Sequence, residues 1–256
     1  MTRRLAALGL ALTSGCADAE PGTLQVRVYG EAFIEQGIAA DVFVDGWAIT
    51  FSRYLVALDG ITAADDQDDG RYLFDLTQPT MGAGHEVTVL EVPAGAQALG
   101  FTLGPGAQAG GGNASAADRQ AMAERGASLW IDGAATKAEQ TVAFSWAFTA
   151  TTRYHDCEVV DEVPAGGSAT TTITIHADHI FYDDLESTTP NTAFDLVAAA
   201  DTDGDATVTE AELRALDITT QARYQVGSHE IENLWDYMTA LSQTVGHIDG
   251  EGECKT

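Results

Sequence analysis

From Thr23 to about Phe181 the apolar residues of this chain fall at every second position, in short runs broken by Gly, Pro and Asp. Leu24, Val26 and Val28 make one run; Trp47, Ile49 and Phe51 another; Tyr54, Val56 and Leu58 a third. Val87 and Val89, then Leu99, Phe101 and Leu103, then Leu129 and Ile131 continue the pattern, followed by Val142, Phe144, Trp146 and Phe148, and by Ile173 and Ile175. A strand points successive side chains to opposite faces, so each run has one face fit for a core and one fit for water. Seven or eight such strands predict a mainly β fold, an antiparallel β-sandwich or barrel over residues 23–187. The Gly-rich stretch Gly104–Asn113 reads as a loop and Ala114–Arg125 as one short helix, while Trp47, Trp130 and Trp146 read as core.

After Thr188 the period becomes helical, and residues 188–256 form a helical segment packed on the sheets. Asn191–Ala200 reads as one helix. Ile231, Leu234, Met238, Leu241 and Val245 recur at three and four, which predicts a second over about His229–Val245, with Ser228 as N-cap and Gly246 as its stop. Between them lies Asp201–Glu212, DTDGDATVTEAE, with acidic residues at positions 1, 3, 5 and 12 of the loop. A hard divalent cation needs six to eight oxygen ligands, and this spacing wraps them around one ion. Asp201, Asp203 and Asp205 each offer a carboxylate oxygen, Thr207 a backbone carbonyl, Thr209 a hydroxyl or a bridging water, and Glu212 both carboxylate oxygens. Thr209 and Glu212 also make a T-x-x-E capping box, so a helix should begin where the ligands end.

The segment resembles an EF-hand, of the compact kind found in calmodulin-type loops and in dockerin repeats, and the resemblance implies one bound calcium. It departs from that pattern at position 6, where Ala206 replaces the usual Gly. A left-handed backbone there costs a non-glycine residue about 1 kcal/mol, which predicts a weak site, roughly 10⁻⁴ M. No second loop of this spacing exists; Asp65–Gly70 is acidic but lacks a Glu at its twelfth place and reads as a hairpin turn.

Residues 1–16 have Arg3 and Arg4, an apolar run from Leu5 to Leu12, then Thr13, Ser14, Gly15 and Cys16. That order is that of an export signal, too short for a permanent membrane helix. It resembles a bacterial lipoprotein box, which implies lipid on Cys16 and a membrane contact through that anchor alone; Ala17-Asp18-Ala19 is a competing site for ordinary cleavage and free secretion. Cys157 and Cys254 then remain as an even pair in an oxidising compartment and predict a disulfide. With 12 basic against 39 acidic residues the chain carries −27, a field that repels nucleic acid and attracts cations. Because only 20% of residues are charged and 45% are hydrophobic, this acidity belongs to a folded surface.

His176, Asp178 and His179 follow the last β run, and His247 and Asp249 follow the last helix. His176 and His179 converge only if the strand breaks at Ala177. Imidazoles with carboxylates suit zinc or copper better than calcium, so His176, His179, His247 and Asp249 form a second candidate metal set. The alternative is that the histidines cap strand ends and bond Asp183 or Asp184. The order FDL, VPAG, FTLG, FSWAF and a late His-bearing strand is similar to periplasmic copper partners of methanobactin gene clusters, although their four-cysteine pattern is missing here. No G-x-S-x-G or H-E-x-x-H occurs, and an enzyme reading would reduce to a metal-dependent hydrolase using the histidine set.

Overall fold

The computed structural model describes residues 19–106 and 109–256; Cys16 and the rest of the expected export signal, residues 1–16, lie outside them. With 41% strand against 16% helix the protein is mainly β. The strands are β1 (Gly22–Tyr29), β2 (Ala48–Ala63), β3 (Asp66–Asp68), β4 (Tyr72–Asp75), β5 (His85–Val92), β6 (Ala98–Leu103), β7 (Leu129–Lys137), β8 (Gln140–Phe148), β9 (Thr152–Glu158), β10 (Ser168–Ile175), β11 (Thr207–Val208) and β12 (Gly246–Ile248). The helices are α1 (Glu31–Gln36), α2 (Ala116–Arg125), α3 (Asp195–Ala198), α4 (Glu210–Ala215) and α5 (Leu234–Leu241). One sheet has the order β12-β10-β1-β5; the other runs β11-β8-β7-β2-β6-β9, with β3 and β4 also paired to β2. Both sheets are mixed, because β1 pairs β10 in parallel and β11 pairs β8 in parallel. The expectation of a wholly antiparallel arrangement is corrected at those two ladders.

Trp47-Ile49-Phe51 and Tyr54-Val56-Leu58 read as separate strands because their apolar residues change from odd to even positions. Apart from Trp47, which stands just before it, they belong to one strand of 16 residues, β2, whose pairing with β7 shifts register between Phe51 and Arg53. A bulge of this kind inserts one residue and restores the inward face, so Ile49, Tyr54 and Val56 are all buried. The pairing of β2 with β6 shifts again between Asp59 and Thr62, which brings Ile61 and Ala63 inward. In β5 the phase also slips: Val87 and Leu90 are buried while Val89 is 59% exposed, opposite a register shift in β1. Val89 is therefore not a core residue.

Both sheets and the C-terminal segment contribute to one apolar core, which includes Val26 and Ile173 from one sheet, Ile131 and Trp146 from the other, and Val197, Leu213 and Leu234 from the helices. Full burial of each large apolar side chain contributes about 1.5–3 kcal/mol. Phe148 of β8 stacks on Trp235 of α5 with ring centroids 4.8 Å apart, tying that helix to the larger sheet. A smaller cluster on the other face of β2, around Leu55, Leu73, Met122 and Trp130, lies under α2. Ser115 caps α2 by accepting from the Asp118 N–H, and Gly126 closes it in the left-handed conformation.

The helices after Thr188 are shorter than their periodicity predicts. The first covers Asp195–Ala198 rather than Asn191–Ala200, and the last covers Leu234–Leu241, capped by Asn233 rather than Ser228. Residues 230–233 are held instead by pairing with the segment after α4, as the Ile218 N–H donates to the Glu232 carbonyl and the Leu234 N–H to that of Leu216. Gly246 does not simply end a helix; it opens β12. No helix among the described residues is long and apolar enough to cross a membrane.

Candidate metal centres

The acidic loop is attached to the edge of the larger sheet. Thr207 and Val208 pair with Ala143 and Phe144 of β8, and Val208, loop position 8, is fully buried. The Trp146 Nε1–H donates to the Val208 carbonyl at 3.0 Å. Trp146→Phe would remove that buried hydrogen bond while the strand pairing remains, and we expect a loss of about 0.5–1.5 kcal/mol in urea unfolding.

Around this attachment the loop folds on its own amides. Asp201 accepts from the N–H groups of Gly204 (2.9 Å) and Ala206 (3.0 Å), Asp203 from Asp205 (3.1 Å), and Asp205 from Thr207 (2.7 Å). Carboxylate oxygens of Asp201, Asp203 and Asp205 lie within 4.8 Å of one another. Ala206 holds φ +63°, the left-handed turn that the motif requires and that a side chain resists. Glu212 reaches back over the loop: one oxygen accepts from the Thr202 N–H (3.1 Å), the other from the Thr209 N–H (2.9 Å) and hydroxyl (2.8 Å). The donors on Thr209 hold the Glu212 carboxyl below its ordinary pKa. The hydroxyl of Thr209 is thereby engaged in the capping box of α4.

The second cluster is assembled by β10 and β12. The chain leaves the strand direction at Ala177, which is helical at φ −73° and ψ −30°, and a 3-10 turn covers Asp178–Phe181. That break brings His179 back beside His176, with ring centroids 5.2 Å apart. His247 on β12 pairs with Thr174 across the ladder, and its ring lies 4.6 Å from that of His176 and 5.1 Å from that of His179. The approach of β12 depends on Gly246, where a Cβ would fall 2.7 Å from the ring of Tyr154. Three histidines from two distant segments thus share one locus.

Asp249 does not join them. Its carboxylate accepts from the Thr172 N–H (2.8 Å), the Val160 N–H (3.2 Å) and the Thr171 hydroxyl, and so anchors the turn after β12 to β10. Asp178 takes the place expected of Asp249: a ligand atom from each of His176, Asp178 and His179 lies within 4.8 Å of the others. Asp183 and Asp184 do not bond the histidines; they accept from Asn191 and from the backbone of Glu186 and Ser187.

Glu31 was not legible in the sequence as part of this cluster. It sits at φ +56° at the start of α1, with an oxygen 3.8 Å from His176 Nδ1. Burial raises its pKa, with His176 opposing and Glu251 and Asp178 adding to the rise. Burial, then the neighbouring histidines, pushes His179 down to about 3 and also lowers His247, so both rings are neutral near pH 7. A cleft of about 420 Å³ reaches the cluster past His179, Tyr182, His247 and Glu251.

Cys157 and Cys254 are bridged across 97 positions. Beside the bridge the His155 and Lys255 backbones exchange hydrogen bonds, while the His155 side chain pairs with exposed Asp156, away from the cluster.

The fold and its sites define a mainly β protein with a carboxylate-rich loop and a histidine-rich cleft. Compared with protein-family models, curated proteins and solved structures, the chain shows no match.

Proposed function

We propose that this is an exported calcium-binding protein, a β-sandwich whose loop Asp201–Glu212 holds one calcium ion as a structural clamp. The observation that carries the reading is the gathering of the Asp201, Asp203 and Asp205 oxygens while Val208 of the same loop is buried in pairing with β8. Loops of this type normally pair with a second copy; here the sheet edge supplies the partner strand. The ion would offset repulsion among four carboxylates and join the turn before the loop to α4 after it. Anchoring through lipid on Cys16, or free secretion after cleavage, completes the proposed setting.

Calorimetric titration of the processed protein with calcium tests this directly. One site of roughly 10⁻⁴ M is expected, and absence of heat at millimolar calcium would refute the reading. Ala206→Gly relieves the left-handed strain of about 1 kcal/mol and should tighten binding by up to about fivefold in the same titration.

A further inference from the structure

The histidine cluster leaves free the atoms that a metal ion would use, while protein groups fix the opposite atoms. The His176 Nε2 lies 3.1 Å from the carbonyl of Gly250, which can only accept, so Nε2 carries a proton and the tautomer that can ligate a metal does so through Nδ1. Thr244 donates its hydroxyl proton to the Leu241 carbonyl (2.9 Å), so it accepts from His179 Nδ1–H (3.0 Å) and leaves Nε2 of His179 as the lone pair. Tyr182 donates to Asp178 Oδ2 (2.9 Å), while Oδ1 of the same carboxylate is buried without a partner. Nδ1 of His247 is likewise buried and unpartnered.

Orphaned polar atoms in a buried place cost about 1–3 kcal/mol each, so those of Asp178 and His247 call for partners. A water can meet some of these needs. Two features favour a cation instead: His176 is only 5% exposed, and carboxylate oxygens of Glu31 and Asp178 stand close to the imidazole nitrogens. Ring nitrogens whose opposite N–H is held by a carbonyl or hydroxyl match the outer-shell arrangement that orients metal-binding histidines. Zinc takes imidazole nitrogen at about 2.0–2.1 Å and carboxylate oxygen at about 2.0–2.2 Å, so two ligands of one ion stand no more than about 4.2 Å apart. The Glu31 Oε2 to His176 Nδ1 separation of 3.8 Å falls inside that limit.

We propose that His176, Asp178 and His179, whose ligand atoms already cluster, bind one borderline divalent transition-metal ion of the zinc and copper class, with the adjacent His247 ring turning in as the fourth ligand, Glu31 beside the ion and the cleft giving access from solvent. The site is independent of the calcium loop: it shares no residue with it and uses a nitrogen-rich donor set.

The test uses the full chain with its disulfide intact, stripped by chelator and held in excess calcium so that the acidic loop is not the metal sink. Titration with zinc against a chromophoric competitor should show one ion per chain, and cobalt(II) should give the intense visible bands of low-coordinate nitrogen ligation. His247→Ala should weaken zinc at least about 100-fold, and Tyr182→Phe, which leaves all four ligands present, about tenfold. Glu212→Gln should leave zinc unchanged, which separates this site from the calcium reading. Copper(II) should displace zinc with the same dependence on His247. The proposal is overturned if the folded wild-type chain binds none of these ions, or if zinc affinity survives both His247→Ala and Tyr182→Phe with melting transitions intact.

Discussion

Calcium at about 100 times its dissociation constant should stabilise the protein by about 2.7 kcal/mol over chelator-treated protein, a rise of roughly 5–10 °C in melting temperature for a chain of this size. The effect arises because the ion binds the folded loop and not the open chain. Glu212→Gln should remove most of it. Glutamine at that position still serves the capping box with Thr209, so α4 keeps its start, while the charge and one good ligand oxygen are lost. The pair of melts therefore distinguishes a ligand from a cap. Equal melting temperatures for the wild type with and without calcium would show that the loop is only an acidic turn.

Reduction of the Cys157–Cys254 bridge is expected to have a larger effect. A crosslink spanning 97 positions restricts the unfolded chain, and the loop-closure argument gives about 4–5 kcal/mol as the upper end. Because Cys254 follows β12, and Gly246 of that strand rests on Tyr154, loosening the bridge should free β12 from β10 first. Urea unfolding with and without reductant measures the total, and hydrogen exchange at Ile248 should rise ahead of exchange in β7. A reduced protein as stable as the oxidised one, with β12 still protected, would mean that packing alone holds the C-terminal segment.

The register of β2 shows where sequence patterning stops being sufficient. Its odd and even apolar runs are both visible, but a change of phase looks the same whether the chain turns or bulges, and only pairing with β7 and β6 decides for a bulge. The parallel ladder of β1 with β10 joins residues nearly 150 apart, and no local pattern encodes that partnership. The C-terminal helix is shorter than its spacing predicts, because the recurrence at three and four continues through residues that pair with the segment after α4.

The acidic loop is a local pattern, since its proposed donors lie in twelve contiguous residues and the chain need only curl on itself to gather Asp201, Asp203 and Asp205. For the histidines the sequence could supply candidates but not a set. His247 joins His176 because β12 pairs with β10, Asp249 is drawn away by the amides of Thr172 and Val160, and Glu31 arrives from the other end of the chain. By itself the sequence determined the mainly β class, the loop and the cysteine pair, because periodicity, local spacing and an even thiol count act over short range or by composition. Tertiary structure decided strand partnership, the mixed sheets and the membership of the histidine cluster. Those depend on which distant backbones satisfy each other's hydrogen bonds, a condition that a linear pattern does not contain.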